Sequence, residues 1–189
     1  MIAHTAKTHG RFTQTLHWIT AILVLLAFAS GLGGSEARLY ASGNDFKREL
    51  HETLGVAIFS VSLLRLMWLA FAHKPAIDGG PEWMKALATS MQRALYALLF
   101  LIPITAVMGV WLEGHPLTLL GGTNIAAFAG NFHTFGGLVV GAHTLLGDAL
   151  IWLAGLHAVA AIFHYLVLRD DVLASMTPAW VHLPKWPDN

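Results

Sequence analysis

The sequence contains no cysteine, which excludes disulfide bonds, thiolate chemistry, iron–sulfur clusters and cysteine-bound zinc. Charge is scarce as well. Only 12% of its 189 residues are charged, where an ordinary soluble domain carries ~25%. Eleven basic residues balance eleven acidic ones, so no net field exists to draw in nucleic acid or another polyanion. Hydrophobic residues make up 56% of the chain, which excludes a disordered protein and points to a solvent other than water. Against that background the anomaly is eleven histidines. The length suits one domain spanning residues 1–189.

Four apolar stretches are long enough to cross a hydrocarbon core of ~30 Å, which takes ~20 residues of helix. They run over about 16–33, 50–72, 91–112 and 135–168, with charges almost confined to their ends. The expected fold is all-α, a transmembrane four-helix bundle. Lys7 and Arg11 precede the first stretch without a small-residue cleavage site, so it reads as a retained span, with a signal anchor as the alternative. Pro103 is expected to kink the third helix. The fourth stretch has 34 residues, roughly 51 Å as helix, and should tilt or project into water. Between spans, residues 72–90 hold Pro75, Gly79, Gly80 and Pro81 and read as a loop followed by a short interfacial helix. Residues 114–134 are Gly-rich, apolar and uncharged; they lie either at the interface or folded back over the bundle. With the N-terminus inside, Lys7, Arg11, Arg65, Lys74, Lys85, Arg93, Arg169 and Lys185 are cytoplasmic, against Arg38, Lys47 and Arg48 outside. That bias favours an N-in, C-in topology.

Ionisable side chains inside a membrane are costly and usually functional. His17 lies in the first span, His51 opens the second, and His143, His157 and His164 lie on the fourth. His143 and His157 are 14 residues apart, about 40° short of four full turns, so both point from one face of the helix, about 21 Å apart along its axis. The topology then sets His17 level with His157 near the inner surface and His51 level with His143 near the outer one. Two opposed imidazoles per level suit the axial positions of a six-coordinate haem iron buried between helices, and two levels imply two haems b. Zinc or a di-iron site would more naturally use His three or four residues apart with carboxylates beside them, and the spans hold no Glu-x-x-His pair. Arg65, also 14 residues after His51, shares its face at the inner level and is a candidate partner for an inner haem propionate. Lys47 and Arg48, one turn before His51, are the outer candidates. Snorkelling of all three to lipid headgroups is the alternative.

These residues also carry a resemblance. His17-Trp18 in the first span, His51-Glu52-Thr53-Leu54-Gly55 opening the second, and His143-Thr144-Leu145-Leu146-Gly147 with Gly155-Leu156-His157 through His164-Tyr165 in the fourth resemble the bacterial cytochrome b561 family. Arg65-Leu66, Leu101-Ile102-Pro103 with Gly109, and Asp170-Asp171-Val172-Leu173 with Met176 extend the likeness over nearly the whole chain. The resemblance implies a multi-pass cytochrome of the bacterial inner membrane with two haems b. His17, His51, His143 and His157 correspond to its axial ligands, which are the metal-binding residues. It also implies electron transfer between ubiquinone and a second redox partner, in one type with superoxide as the outer-side donor. The four spans without an added domain resemble the small free-standing members more than the subunits that dock on dehydrogenases or hydrogenases.

His164, two turns past His157 on nearly the same face, is a candidate catalytic residue, a hydrogen-bond or proton donor to quinone. An interfacial His bonded to water or a loop is the alternative. Arg93 and Thr13 or Thr15 share its depth as further quinone-site candidates. Trp18 beside His17, and Trp152, are candidates to pack on porphyrin, with ordinary helix packing as the competing cause. Trp83, Trp111 and Trp180 read as interfacial anchors. Gly31, Gly55, Gly109, Gly141, Gly147 and Gly155 read as points of close approach. His4, His9, His73, His115, His133 and His182 fall in termini or loops, where solvated His is the default. The expected function is a probable oxidoreductase that passes electrons from a small outer-side donor, such as superoxide, through two haems to membrane quinone. A haem-bearing membrane anchor with a redox protein partner is the alternative, and a His-lined metal or proton transporter is a third, for which sites near the midplane would be usual.

Overall fold

A computed structural model describes residues 9–31, 45–72, 81–127, 132–178, 180–181 and 183–184. Lys7, Arg38, Lys74 and Lys185 of the charge count, and His4, His73 and His182, lie outside the described residues. The helices are α1 (Arg11–Gly31), α2 (Asp45–Phe71), α3 (Glu82–Leu112), α4 (His133–Phe163) and α5 (Val172–Met176). A π-helical turn, His164–Leu168, continues α4. Strands β1 (Leu117–Leu119) and β2 (Thr123–Ile125) form an antiparallel hairpin between α3 and α4. The first four helices, with the π-helical turn extending the fourth, are long and apolar enough to cross a membrane.

All four long helices start earlier than hydropathy suggests, α2 at Asp45 rather than Leu50 and α4 at His133 rather than Phe135. α1 begins at Arg11 rather than Leu16, and α3 begins at Glu82, absorbing the stretch expected to form a separate interfacial helix. Hydropathy marks where a chain dissolves in lipid, whereas the hydrogen-bond ladder continues until a residue breaks it. For α1 and α3 those residues are Gly10 and Pro81, Pro81 serving as the N-cap with extended backbone at φ −69°. α3 runs on through Pro103.

A step of seven residues drifts only ~20° around a helix, so residues seven apart stay on one face. His17, Val24 and Gly31 form such a row on α1; His51, Ile58 and Arg65 form one on α2; His143, Leu150, His157 and His164 form one on α4. The middle members Val24, Ile58 and Leu150 join Ala27, Leu98 and Leu99 as the buried core. One aliphatic layer thus lies between two levels of histidine. The opposite row of α4, Leu138, Leu145, Trp152, Val159 and Leu166, is exposed. Trp152, 81% exposed, therefore faces outward and does not pack within the bundle; lipid solvates that face as well as protein would, so composition alone does not reveal it.

α1 packs chiefly on α2, and α3 on α4. The second pair is tight because a Cβ on Gly109 would stand 2.6 Å from Val140 Cγ2 and 3.2 Å from Val140 N. Gly55, Gly141, Gly147 and Gly155, by contrast, meet nothing within 4 Å. Gly109→Leu is expected to wedge α3 from α4 at a cost of ~1–3 kcal/mol, read as a lower Tm in detergent. Gly141→Ala should leave Tm equal or slightly raised.

Candidate cofactor site

The two rows of histidine meet in couples. The His17 and His157 rings stand edge to face with centroids 6.4 Å apart. Those of His51 and His143 stand 6.0 Å apart at 90°. A metal–imidazole nitrogen bond is ~2.0–2.1 Å and the ring centre lies about 1 Å beyond, so a metal held midway between two imidazoles separates their centroids by about 6 Å. Both couples have that spacing. Among the described residues no group of three or more His, Asp or Glu side chains is arranged to hold a metal ion. A couple offers two ligands, so the remaining positions must come from the cofactor, as a macrocycle provides.

The second couple is also oriented. His51 Nδ1–H donates to the Ala27 carbonyl at 2.8 Å, and His143 Nδ1–H donates to the Ile102 carbonyl at 2.9 Å. A carbonyl only accepts, which sets the proton on Nδ1 and leaves each Nε2 lone pair available. A backbone acceptor on the far nitrogen is what fixes the tautomer and orientation of a metal-ligating imidazole. Each carbonyl has a hydroxyl three residues on: Ser30 Oγ donates to Ala27 O at 2.9 Å, and Thr105 Oγ1 shares its proton between Ile102 O at 2.9 Å and Leu101 O at 2.8 Å. Gly31 leaves room for the first ring, because a Cβ there would lie 2.8 Å from His51 Cε1.

The first couple is set differently. Arg65 Nη2 donates to His17 Nδ1 at 3.2 Å, and a guanidinium has no acceptor, so here the His17 proton sits on Nε2. Arg65 also lies over the Tyr96 ring, 5.2 Å from its centroid. Trp18 stands 5.7 Å from His17, edge to face, and its Nε1–H donates to the Met176 carbonyl at 2.9 Å. Gln14 Nε2 donates to Ser175 O at 3.0 Å, as does the His9 backbone N–H at 3.2 Å. α5 is thereby clamped to the start of α1. His9 is not a solvated terminal histidine: it is half-buried, and burial first, then the Arg65 guanidinium, holds its imidazole below the ordinary histidine range.

His164 opens the π-helical turn, and its Nδ1–H donates to Asp170 Oδ2 at 2.6 Å. Asp170 Oδ1 accepts the Val172 N–H at 3.1 Å, and its own N–H donates to the His164 carbonyl at 3.2 Å. Arg169, with a left-handed φ of 56°, turns the chain back to make this closure. Other candidates stand apart from these groups. Thr15 is exposed with its hydroxyl on the Arg11 carbonyl, and Arg93 and Lys47 are exposed. Thr13 is buried and accepts from Trp68 Nε1 at 3.0 Å. Arg48 Nη1 reaches Glu52 Oε1 at 3.2 Å. Trp83 and Trp180 are exposed, as anchors at an interface would be.

The chain matches the family model for prokaryotic cytochrome b561 over residues 8–179. It belongs to the prokaryotic cytochrome b561 family. It is 26% identical to cytochrome b561 homolog 2 of Escherichia coli, over 92% of this chain and 93% of that one. It is 28% identical to the probable superoxide oxidase CybB of Yersinia pestis, over 86% and 92%. It is 30% identical to cytochrome b562 of Cereibacter sphaeroides, over 89% and 94%. Membership makes this a multi-pass bacterial membrane protein of an electron-transfer family whose implied cofactor is haem b, and the chemistry of the imidazole couples suits that group.

Sequence reasoning passed over Asp170, Glu52, Tyr96 and His9 as parts of the site. Asp170 is six residues from His164, a spacing that faces nowhere useful on an α-helix and meets only through the π turn. His9 precedes the first span by eight residues from His17, and only the early start of α1 would have signalled that it is held. Gly31→Val is expected to push the His51 ring off the Ala27 carbonyl and to cost ~1–3 kcal/mol. Loss of the protected His51 Nδ1 proton in NMR spectra of the labelled protein would register it.

Proposed function

We propose that the protein is a dihaem b electron carrier of the inner membrane that moves electrons from a small donor on the His51/His143 side to ubiquinone on the His17/His157 side. The observation that carries this reading is the pair of facing imidazole couples at 6.0 and 6.4 Å on three helices. Bound between each couple, haem supplies a one-electron relay that no side chain here provides. His51 and His143 serve as ligands through Nε2 while Ala27 and Ile102 keep their rings from rotating. His17 and His157 serve the other level. For His17 to serve as a ligand through Nε2, its proton would move to Nδ1 and Arg65 would release that atom, leaving the guanidinium to pair with a carboxylate of the bound group. Lys47 and Arg48 are the counter-charges for the propionates of the other haem, and Trp18 packs at the edge of the His17 level.

Excess Lys and Arg on the side of the His17/His157 level supports N-in, C-in topology, which makes that level cytoplasmic. Reduction of a quinone takes two electrons and two protons. His164 directs its Nδ1 proton toward Asp170 and so keeps Nε2 for proton exchange with a quinone oxygen. Asp170 positions the ring. Thr15 and Arg93, being exposed, would contribute to quinone binding only from the outer rim of the site. The name of the Yersinia pestis relative, a probable superoxide oxidase, supports superoxide as the donor, whose oxidation releases one electron and dioxygen and requires no proton.

Two tests separate these roles. His51→Ala or His143→Ala should each remove one haem and keep the other, and His17→Ala or His157→Ala should do the converse, as counted by pyridine haemochrome and potentiometric titration. Purified protein from haem-replete cells without a Soret band, or loss of the same haem from His143→Ala and His17→Ala, would end the dihaem reading. His164→Ala should retain both haems and slow quinone reduction by ~10²-fold or more, with Asp170→Asn retaining both and slowing it less; unchanged turnover in His164→Ala would remove quinone chemistry from that residue.

A further inference from the structure

Glu52 follows His51 in α2, and its side chain is only 10% exposed. A carboxyl group so enclosed needs partners for its oxygens, and both have one. Oε1 faces Arg48 Nη1 at 3.2 Å, and Oε2 accepts the backbone N–H of Thr118 in β1. The next residue repeats the contact: Thr53 Oγ1 accepts the Leu120 N–H at 2.8 Å while donating to the Glu49 carbonyl at 2.7 Å. Thr118 in β1 and Leu120, the turn residue that follows the strand, are two apart, and both amides point to α2 from the same edge. This is the edge that β2 does not use, and β2 itself is exposed along its length. Leu117 and Thr118 are buried, so the strand lies against the bundle and not in solvent.

The hairpin therefore has two attachments. It continues α3 covalently, through Gly114 at φ 82° and the His115 N–H bonded to the Val110 carbonyl at 3.0 Å. It is bonded to α2 through Glu52 and Thr53. α2 belongs to the α1/α2 pair that carries His51, and α3 to the α3/α4 pair that carries His143. Direct packing between α2 and α3 is slighter than within either pair. The hairpin thus crosses the same division that the His51/His143 couple crosses, at the same level.

We propose that Glu52 is a positioning residue for the His51/His143 couple, strapping the two helix pairs together through the hairpin so that the gap between those imidazoles stays fixed. The inference rests on the dihaem reading and adds to it a residue that touches neither iron nor substrate. It acts at the His51/His143 level; at the His17/His157 level the pairs are joined separately, by α5, which follows α4 through the π-helical turn and is bonded to α1.

The test uses the full-length holoprotein in detergent. Glu52→Gln keeps an acceptor for Thr118 but not the charge facing Arg48; Glu52→Ala removes both; Thr53→Val removes the Leu120 acceptor. Hydrogen exchange of the segment containing Thr118 and Leu120 should quicken by about tenfold or more in Glu52→Ala, the loss expected when a hydrogen bond of ~1.5–3 kcal/mol to a charged group is removed, and by less in Glu52→Gln. The low-spin EPR signal and midpoint potential of the haem that His143→Ala eliminates should shift in Glu52→Ala, with the other haem unchanged. Faster exchange with both haem signatures unaltered would overturn the proposal, leaving the hairpin a passive cap. So would unchanged exchange, or a shift in the other haem. An unsubstituted protein that binds no haem would bring down the dihaem reading and this inference together, whereas intact haems indifferent to Glu52 would bring down this inference alone.

Discussion

One layer of aliphatic packing governs this molecule. Val24, Ile58 and Leu150 each stand seven residues from a histidine toward one end of the bundle, and again seven from a residue of the opposite level toward the other. Two seven-residue steps move ~21 Å along a helix and rotate it by only about 40°, so burial of the middle residue on three helices brings both ends of each row inward. The distance between facing imidazoles is then set by how closely the core lets the helices approach. A smaller middle layer would close the gaps and a larger one would open them. The histidines themselves contribute little attraction across 6 Å; the core decides their separation.

The same logic explains where polar groups are tolerated. Each imidazole brought into an apolar interior carries one N–H that must be satisfied. At the His51/His143 level, backbone carbonyls of α1 and α3 accept those protons, and hydroxyls of Ser30 and Thr105 share the carbonyls without displacing the rings. Glycine at position 31 is what lets the His51 ring approach α1 closely enough to reach Ala27. At the other level Arg65 instead donates to the acceptor nitrogen of His17, and its guanidinium lies over the Tyr96 ring. One level is fixed by neutral backbone and the other by a cation that can exchange partners.

Much of this was legible in the sequence because lipid imposes two simple rules, length of apolar run and period of the inward row. Those rules give the four helices and the shared levels of His17 with His157 and of His51 with His143. They fail where a contact is distant in sequence and made to backbone. Nothing in Gly-Gly at 121–122 beyond a turn indicates that the preceding strand lays its free edge on Glu52 and Thr53. Asp170 escapes helical arithmetic because a π turn and a left-handed Arg169 bring it back to His164. Trp152 was illegible for the opposite reason: an aromatic ring gains as much from hydrocarbon outside the bundle as from side chains within it, so periodicity must be read against the histidine row to find that it faces out.

The two ends differ in a way that matches what each side is proposed to do. An electron entering from a one-electron donor need bring no proton with it, and His51 and His143 have their Nδ1 protons committed to backbone carbonyls. A quinone needs protons delivered as it is reduced. Around the His17/His157 end stand His164 bonded to Asp170, and His9, whose imidazole is held below the ordinary histidine range by burial and then by Arg65. α5 holds both to the foot of α1, so this chemistry depends on a short helix that adds almost nothing to the membrane core. The proposed division of labour thus lies less in the four facing imidazoles, which are alike, than in the second atom of each ring and what it is allowed to exchange.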